Sequence, residues 1–134
     1  MLSLSKIIEA NKKKYYDALK AAQRSNEITG WIGYFVHTVL EAQLDAEQQI
    51  DFVLKKAKFF DRYTNQLNER QLKALRRMLE EGPQGFTGGI NASKYIGITG
   101  ASKATATRDL QYLQEIGILQ RIGSGRSTRY DLVI

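Results

Sequence analysis

The stretch that decides the fold is TGASKATATRDLQYL, residues 99–113. Within it, Ala106, Leu110 and Leu113 recur at helical spacing on one face, which predicts an amphipathic helix. The hydroxyl of Ser102 is placed to accept a hydrogen bond from an otherwise unpaired backbone N–H at the helix start. The polar side chains off the apolar stripe offer hydrogen-bond donors to an approaching partner, as in a recognition helix: Lys103, Thr105, Thr107, Arg108 and Gln111.

A basic hairpin is predicted directly after this helix. Gly117, in the apolar run 116–119, ends the helix, and the run continues as a strand. The chain turns at 123–126, Gly-Ser-Gly-Arg, and returns through a second strand over 128–133. A helix followed at once by a two-stranded hairpin is typical of a winged helix-turn-helix. The residues predicted to form the tip and edge of the wing are Ser124, Arg126, Ser127 and Arg129.

The residues before 99 complete the winged-helix order. Residues 68–71, Asn-Glu-Arg-Gln, form a capping box that opens a helix ending at Gly82-Pro83. Asn91 can cap a short helix, and Gly97 and Gly100 bracket the turn into the recognition helix. We therefore predict a winged helix-turn-helix domain over residues 67–134.

Residues 1–66 are predicted to form a helical region, which makes the fold mainly α with one small β-hairpin. One helix is expected from Leu2 to Arg24, starting near Ser3 or Ser5, and a long helix from 31 to 66 after a Thr29 cap. In the long helix, apolar residues recur every seven positions, which indicates packing along a partner helix: Val39, Ala46, Val53 and Phe60. That partner is the first helix, a missing portion of a larger protein, or a second copy in a homodimer.

Composition narrows the classes of partner. The 134 residues carry a net charge of +6, and the half from 67 onward holds ten Lys and Arg against six Asp and Glu. This excess favours a polyanion such as duplex DNA. Cysteine is absent, as is any apolar run near the roughly 20 residues that span a bilayer, and the N-terminus lacks a signal-peptide pattern. We expect a cytoplasmic protein that does not enter the membrane.

The predicted DNA-contacting set comprises the polar residues of the recognition helix, with Ser102, and those of the wing. Lys and Arg neutralise phosphates, while Ser, Thr and Gln can bond phosphate oxygens or base edges. The alternative is a winged helix used as a protein contact, with these side chains in solvent. For the wing, the alternative is an ordinary hairpin whose basic residues protect its edge.

Catalysis, metal binding and cofactor binding are not expected of this chain. The glycines between Gly82 and Gly89 follow a helix and lack the Gly-Lys-Ser/Thr ending of a phosphate-binding loop, which favours a link or a short edge strand. The one histidine, His37, has no cysteine or carboxylate cluster at metal-ligand spacing. We therefore predict no catalytic residue, no metal ligand and no cofactor here.

Five stretches of the chain, in one order, resemble the C-terminal region of Fic-family proteins (filamentation induced by cAMP), in the bacterial subgroup with an extra N-terminal helical domain. They are NKKKYYDAL at 11–19, WIGYF at 31–35, FFDRY at 59–63, LNERQ at 67–71 and KATATRDL at 103–110. The family's catalytic loop reads His-Pro-Phe-x-Asp/Glu-Gly-Asn-Gly-Arg, and its histidine helps transfer AMP from ATP to a protein hydroxyl. His37 is followed by Thr-Val-Leu, so no catalytic role is carried over.

The resemblance implies that residues 1–66 are the closing helices of the Fic fold and that the chain is a fragment lacking the N-terminal catalytic domain. Two hypotheses follow from the residues and the resemblance together. The first is a regulatory, DNA-binding winged helix at the C-terminus of a Fic-like AMP transferase. The second is a protein-interaction or dimerisation module that positions a protein target for the absent catalytic domain.

Overall fold

The fold is mainly helical and ends in a two-stranded antiparallel hairpin, which confirms the predicted fold class. The computed structural model describes residues 3–134. Two single turns of 3-10 helix, Thr64–Gln66 and Gly125–Ser127, join the longer elements. In chain order the elements are α1 Leu4–Ala10, α2 Lys12–Gln23, α3 Thr29–Tyr63, α4 Glu69–Leu79, α5 Ala92–Thr99, α6 Lys103–Glu115, β1 Leu119–Ile122 and β2 Arg129–Leu132.

Contacts along the chain divide it into two compact units. One extends to Asp51, and the other runs from Phe52 to Ile134. We call the described residues 3–51 the N-terminal unit and residues 52–134 the C-terminal unit. The division precedes the predicted domain boundary between 66 and 67, because Phe59 at the end of α3 is buried in the core of the C-terminal unit.

The N-terminal unit begins with two helices where the periodicity predicts one. The hydroxyl of Ser3 caps α1, accepting from the N–H of Lys6 at 3.3 Å, as predicted. The single helix expected from Leu2 to Arg24 is wrong at Asn11, whose backbone leaves the helical region at φ −130° and ψ 39°. Asparagine is a poor residue for a helix interior because its amide competes for backbone hydrogen bonds. Leu2 lies outside the described residues.

The start of α3 also differs from the prediction. Thr29 is the first helical residue rather than the cap, and the capping carboxylate belongs to Glu27, which accepts from the N–H of Thr29 at 2.8 Å and from its hydroxyl. The hydrogen bond from the Thr29 hydroxyl, followed by that from the backbone N–H, lowers the pKa of Glu27. The helix continues without a break at Asp45 and ends at Tyr63, three residues before the predicted end.

Side chains of α1 and α2 contact one face of α3 in the N-terminal unit. The ring of Tyr15 packs edge-on against Trp31, with centroids 6.0 Å apart, and lies tilted against the ring of Tyr34 at 6.3 Å. Lys6 forms an ion pair with Asp45 at 2.6 Å. These contacts show that one of the predicted partners of the long helix, the first helix, covers part of its surface.

The core of the C-terminal unit lies between α4, α5, α6 and the hairpin. Ile90 pairs with Tyr130 through two backbone hydrogen bonds of 2.8 and 2.7 Å and so adds one residue beside the hairpin. The preceding residues 82–89 form turns and bends, so of the two predicted alternatives the structure has the link. The hairpin register pairs Leu119 with Leu132 and Ile122 with Arg129. The most deeply buried large side chains are Leu75, Ile90, Tyr95, Leu113 and Ile118.

Local capping determines where the helices of the C-terminal unit begin. The Asn68–Gln71 capping box opens α4, and Asn91 caps α5 by accepting from the N–H of Lys94 at 2.9 Å, both as predicted. Gly100 ends α5 in the left-handed region at φ 72°. Gly97 does not bracket the turn, because it lies inside α5, where glycine is tolerated in an otherwise regular helix.

Candidate nucleic-acid interface

The helix α6 is held by its predicted cap and its predicted apolar stripe. The Ser102 hydroxyl accepts from the N–H of Thr105 at 3.3 Å, which satisfies one of the free donors of the first turn. Ala106, Leu110 and Leu113 are each at most 2% exposed and face the core. The opposite side of α6 is therefore the side that faces solvent.

The buried side of α6 also carries a carboxylate, Asp109, which sequence reasoning left without a role. Its Oδ2 accepts from the hydroxyl of Tyr95 at 2.8 Å and from Nε of Arg70 at 3.3 Å. Its Oδ1 accepts from the side-chain amide of Gln71 at 3.2 Å. Burial, foremost, and the hydrogen bond to Asp109 raise the pKa of Tyr95. One carboxylate thus ties α6 to both α4 and α5.

The structure places Ser102 and the predicted α6 residues in three groups. Ser102 and Thr105 form the cap, with their hydroxyl oxygens 3.0 Å apart, and Thr105 is half-buried. The hydroxyl of Thr107 donates to the carbonyl of Lys103 at 3.0 Å, which leaves its oxygen able to accept. The remaining side chains are exposed, and no hydrogen bond or ion pair to another part of residues 3–134 holds them: Lys103, Arg108 and Gln111.

The wing is a tight turn that carries the predicted basic residues outward. Gly123 has φ 75°, and a Cβ at this position would lie 2.8 Å from the carbonyl oxygen of Ser127, so glycine is required for the turn to close. The Ser127 hydroxyl donates to the carbonyl of Ser124 at 2.9 Å. All four predicted wing residues are exposed: Ser124, Arg126, Ser127 and Arg129.

The helix and the hairpin adjoin in the same unit. The N–H of Ile118 donates to the carbonyl of Leu113 at 2.9 Å, and β1 begins at the next residue. Ile118 and Leu119 are buried, so the join between the two elements is part of the core. The contact of these two elements with DNA stays a prediction.

Two further arginines stand close to the predicted set. Arg121 on β1 donates to the hydroxyl of Thr128 at 3.3 Å and is exposed. Arg70, about half exposed, lines an open depression of about 420 Å³ together with Arg108 and Tyr112. Neither arginine belongs to the predicted set. Arg121 lies directly before the predicted turn at 123–126, so its place in the hairpin was a local signal, whereas Arg70 precedes α6 by too many residues for any local spacing to associate them.

The positive charge of the chain is concentrated in the unit that carries this surface. The C-terminal unit holds fourteen Lys and Arg against seven Asp and Glu, a net +7, and the rest of the chain has a net charge of −1. One of the seven acidic groups, Asp109, is buried and paired with Arg70. The field of the unit therefore attracts anions.

Two kinds of structural feature are absent from residues 3–134. No group of three or more His, Cys, Asp and Glu lies together in a way that could hold a metal ion. Within the same residues, no helix combines the length and apolar character needed to cross a membrane.

Part of the chain matches the model of a known family. Residues 86–133, which are 48 of the 134 residues, match the model of the C-terminal domain of DIP2311-like transcriptional regulators. The matched segment begins just before Ile90 and contains α5, α6 and the hairpin. No curated protein matches the chain. The match supports a regulatory domain and does not bear on the Fic-family resemblance, which stays a prediction.

Proposed function

We propose that residues 67–134 are the DNA-binding part of a transcriptional regulator, with α6 in the major groove and the hairpin on the adjacent backbone. One observation carries the proposal: the solvent face of a capped α6 holds unpaired polar and basic side chains, within a segment that matches a regulator's C-terminal domain. A helix of this kind fits the width of the major groove.

The side chains of α6 suit two kinds of contact. Arg108 and Gln111 are long, exposed and unrestrained by other described residues, so they can reach base edges, where Arg pairs with guanine and Gln with adenine. Lys103 lies in the first turn, where its charge adds to the partial positive charge of the helix N-terminus and favours a phosphate. The cap residues Ser102 and Thr105 fix the start of the helix.

The wing suits backbone contacts. Arg126 projects from a turn closed by a glycine, and Arg129 stands on the neighbouring strand. An arginine at such a tip can neutralise a phosphate or enter a narrow minor groove. The alternative in which these arginines only protect the hairpin edge predicts no effect of either residue on DNA affinity.

Fluorescence anisotropy with a labelled 20-base-pair duplex tests the proposal. Affinity should fall steeply between about 50 and 200 mM salt, because each neutralised phosphate releases counterions. If the chain does not bind duplex at 50 mM salt, or binds it with an affinity that does not change with salt, the proposal is contradicted.

The second candidate is a protein-interaction or dimerisation module, and the exposed apolar residues of α3 favour it. The finer hypothesis of a Fic-like AMP transferase rests on the resemblance alone. Its test is whether a longer protein containing this chain has the His-Pro-Phe loop and transfers AMP to a protein. Loss of that transfer when the loop histidine is changed would support the hypothesis.

A further inference from the structure

About half of the circumference of α3 in the N-terminal unit exposes apolar side chains. These side chains are about half exposed or more, Val36 reaching 60% and Ile50 57%. A monomeric protein rarely exposes an apolar patch larger than a few hundred Å² without using it. The exposed members in α3 are Ile32, Phe35, Val36, Leu40, Leu44 and Ile50, and Ile28 directly before the helix is exposed as well.

The same unit buries very little of its own surface. Among its described residues, only Thr38 and Ala42 are buried. Ala42 lies one helical turn from Val39 and from Ala46, which are partly buried themselves. A stable fold needs its apolar area removed from water, at about 25 cal/mol per Å². Several large apolar residues of α3 stay about half exposed or more, so the unit's own packing leaves apolar surface that another molecule can cover.

The spacing along this face is that of a coiled coil. Six positions alternate at intervals of four and three residues, which is the a/d pattern of a heptad, and none of them is charged. The first three residues, Ile32, Val36 and Val39, are β-branched, and the fourth, Gln43, is a polar residue in the middle of the series. These six positions, which we call the α3 seam, are Ile32, Val36, Val39, Gln43, Ala46 and Ile50.

We propose that the α3 seam binds the α3 seam of a second copy, in parallel, with the two Gln43 side chains facing each other. A polar residue at one seam position specifies register and partner, and a primary amide can both donate to and accept from its own copy. Because no seam position is charged, pairing the seam with the same seam of a second copy brings no like charges together. The seam spans 19 residues, about 28 Å of helix.

The proposed dimer goes beyond DNA binding and does not depend on it. Each protomer carries one winged helix, and the dimers formed by DNA-binding helix-turn-helix proteins read two half-sites. If the proposed function also holds, the natural target has two half-sites. A dimer that ignores DNA would support the seam and contradict the proposed function, whereas a monomer that binds duplex would do the reverse.

Sedimentation equilibrium of the full chain tests the seam. We expect a concentration-dependent dimer, and V36E or I50E should raise its dissociation constant about 100-fold or more, because each places two charges in an apolar contact. The matched control Q48E adds the same charge at an exposed position of α3 outside the seam and should leave the dimer intact. A native chain that is monomeric, or Q48E dissociating like I50E, would overturn the proposal.

Cross-linking measures the register without requiring a destabilised variant. The chain has no cysteine, so any disulfide comes from the residue introduced. In a parallel pair Q43C should form an intermolecular disulfide rapidly, since two facing seam positions fall within the roughly 7 Å between Cα atoms that a disulfide tolerates. Q48C should not. Equal cross-linking of the two variants, or none with Q43C, would overturn the proposed pairing.

Discussion

The hydroxyl of Tyr95 donates to Oδ2 of Asp109 at 2.8 Å, and both residues are buried. Tyr95 belongs to α5 and Asp109 to α6, so this hydrogen bond joins the two helices of the helix-turn-helix below its solvent face. The angle at which α6 presents its polar side chains therefore depends on a polar contact in the core as well as on apolar packing.

The Tyr95–Asp109 contact predicts a specific loss of stability in alkali. Because the pKa of Tyr95 is raised in the fold, its contribution is fully present below its ordinary value of about 10 and is lost as the pH rises above it. Tyr95→Phe should be less stable than the native chain at pH 7 by about 1–2 kcal/mol. In urea unfolding between pH 7 and 11, this difference should shrink above pH 10. A difference that stays constant to pH 11 would refute the assignment.

Removing the carboxylate should destabilise the C-terminal unit more than removing its exposed partner. Asp109→Ala leaves the buried polar groups of Tyr95 and Gln71 unpaired, and we expect a loss of about 2–4 kcal/mol in free energy of unfolding. Arg70→Ala should cost about 1 kcal/mol or less, because its guanidinium is half exposed and screened. If denaturant unfolding gives equal losses of stability for the two variants, the ion pair with Arg70 contributes more to stability than the buried hydrogen bonds do.

Two glycines with similar backbone angles should respond differently to alanine. Gly89 has φ 64°, and a Cβ there would lie 2.8 Å from the carbonyl oxygen of Tyr130 and closer still to Oδ1 of Asp131. Gly85 has φ 77° and open space around it. Gly85→Ala should cost about 1 kcal/mol for the left-handed backbone, and Gly89→Ala measurably more, with reduced amide protection at Ile90. Equal melting temperatures for the two variants would contradict this.

The proposed DNA surface predicts separable effects of helix and wing. Arg108→Ala should weaken duplex binding by about 1–3 kcal/mol and relax preference at one base pair. Arg126→Ala should weaken binding to all sequences alike and lower the salt slope by about one. Lys73→Ala removes an equal charge from the exposed side of α4 and serves as the control in anisotropy titrations. Wild-type affinity in both arginine variants would remove this surface from the interface.

The features predicted correctly from the sequence are those determined within a few residues. The caps at Asn68, Asn91 and Ser102 each join positions three apart, and the buried stripe of α6 follows from its period. The errors at Asn11 and Thr29 concern boundaries where one backbone rotation or one neighbouring carboxylate decides. The hydrophobic periodicity of the sequence gives no information on either of these two boundaries.

The candidate site was only partly predictable for a related reason. Asp109 stands on the same stripe as Ala106 and Leu113, at spacings of three and four, so its burial was visible in the sequence. Its partners were not, because Arg70 and Gln71 are 39 and 38 residues away and meet it only after α4 and α6 pack. Arg108 and Arg126 are exposed as predicted, which leaves their contact with DNA to experiment.

The oxygen and the nitrogen of the Gln71 side-chain amide both form hydrogen bonds. Its oxygen accepts from the N–H of Asn68 at 3.0 Å, while its nitrogen donates to Asp109 at 3.2 Å. A glutamate at this position would keep the first contact and set a negative charge against Asp109, and a leucine would lose both contacts. In related sequences, positions 71 and 109 should consequently change together, and a lineage that replaces one of them alone should carry a compensating change nearby.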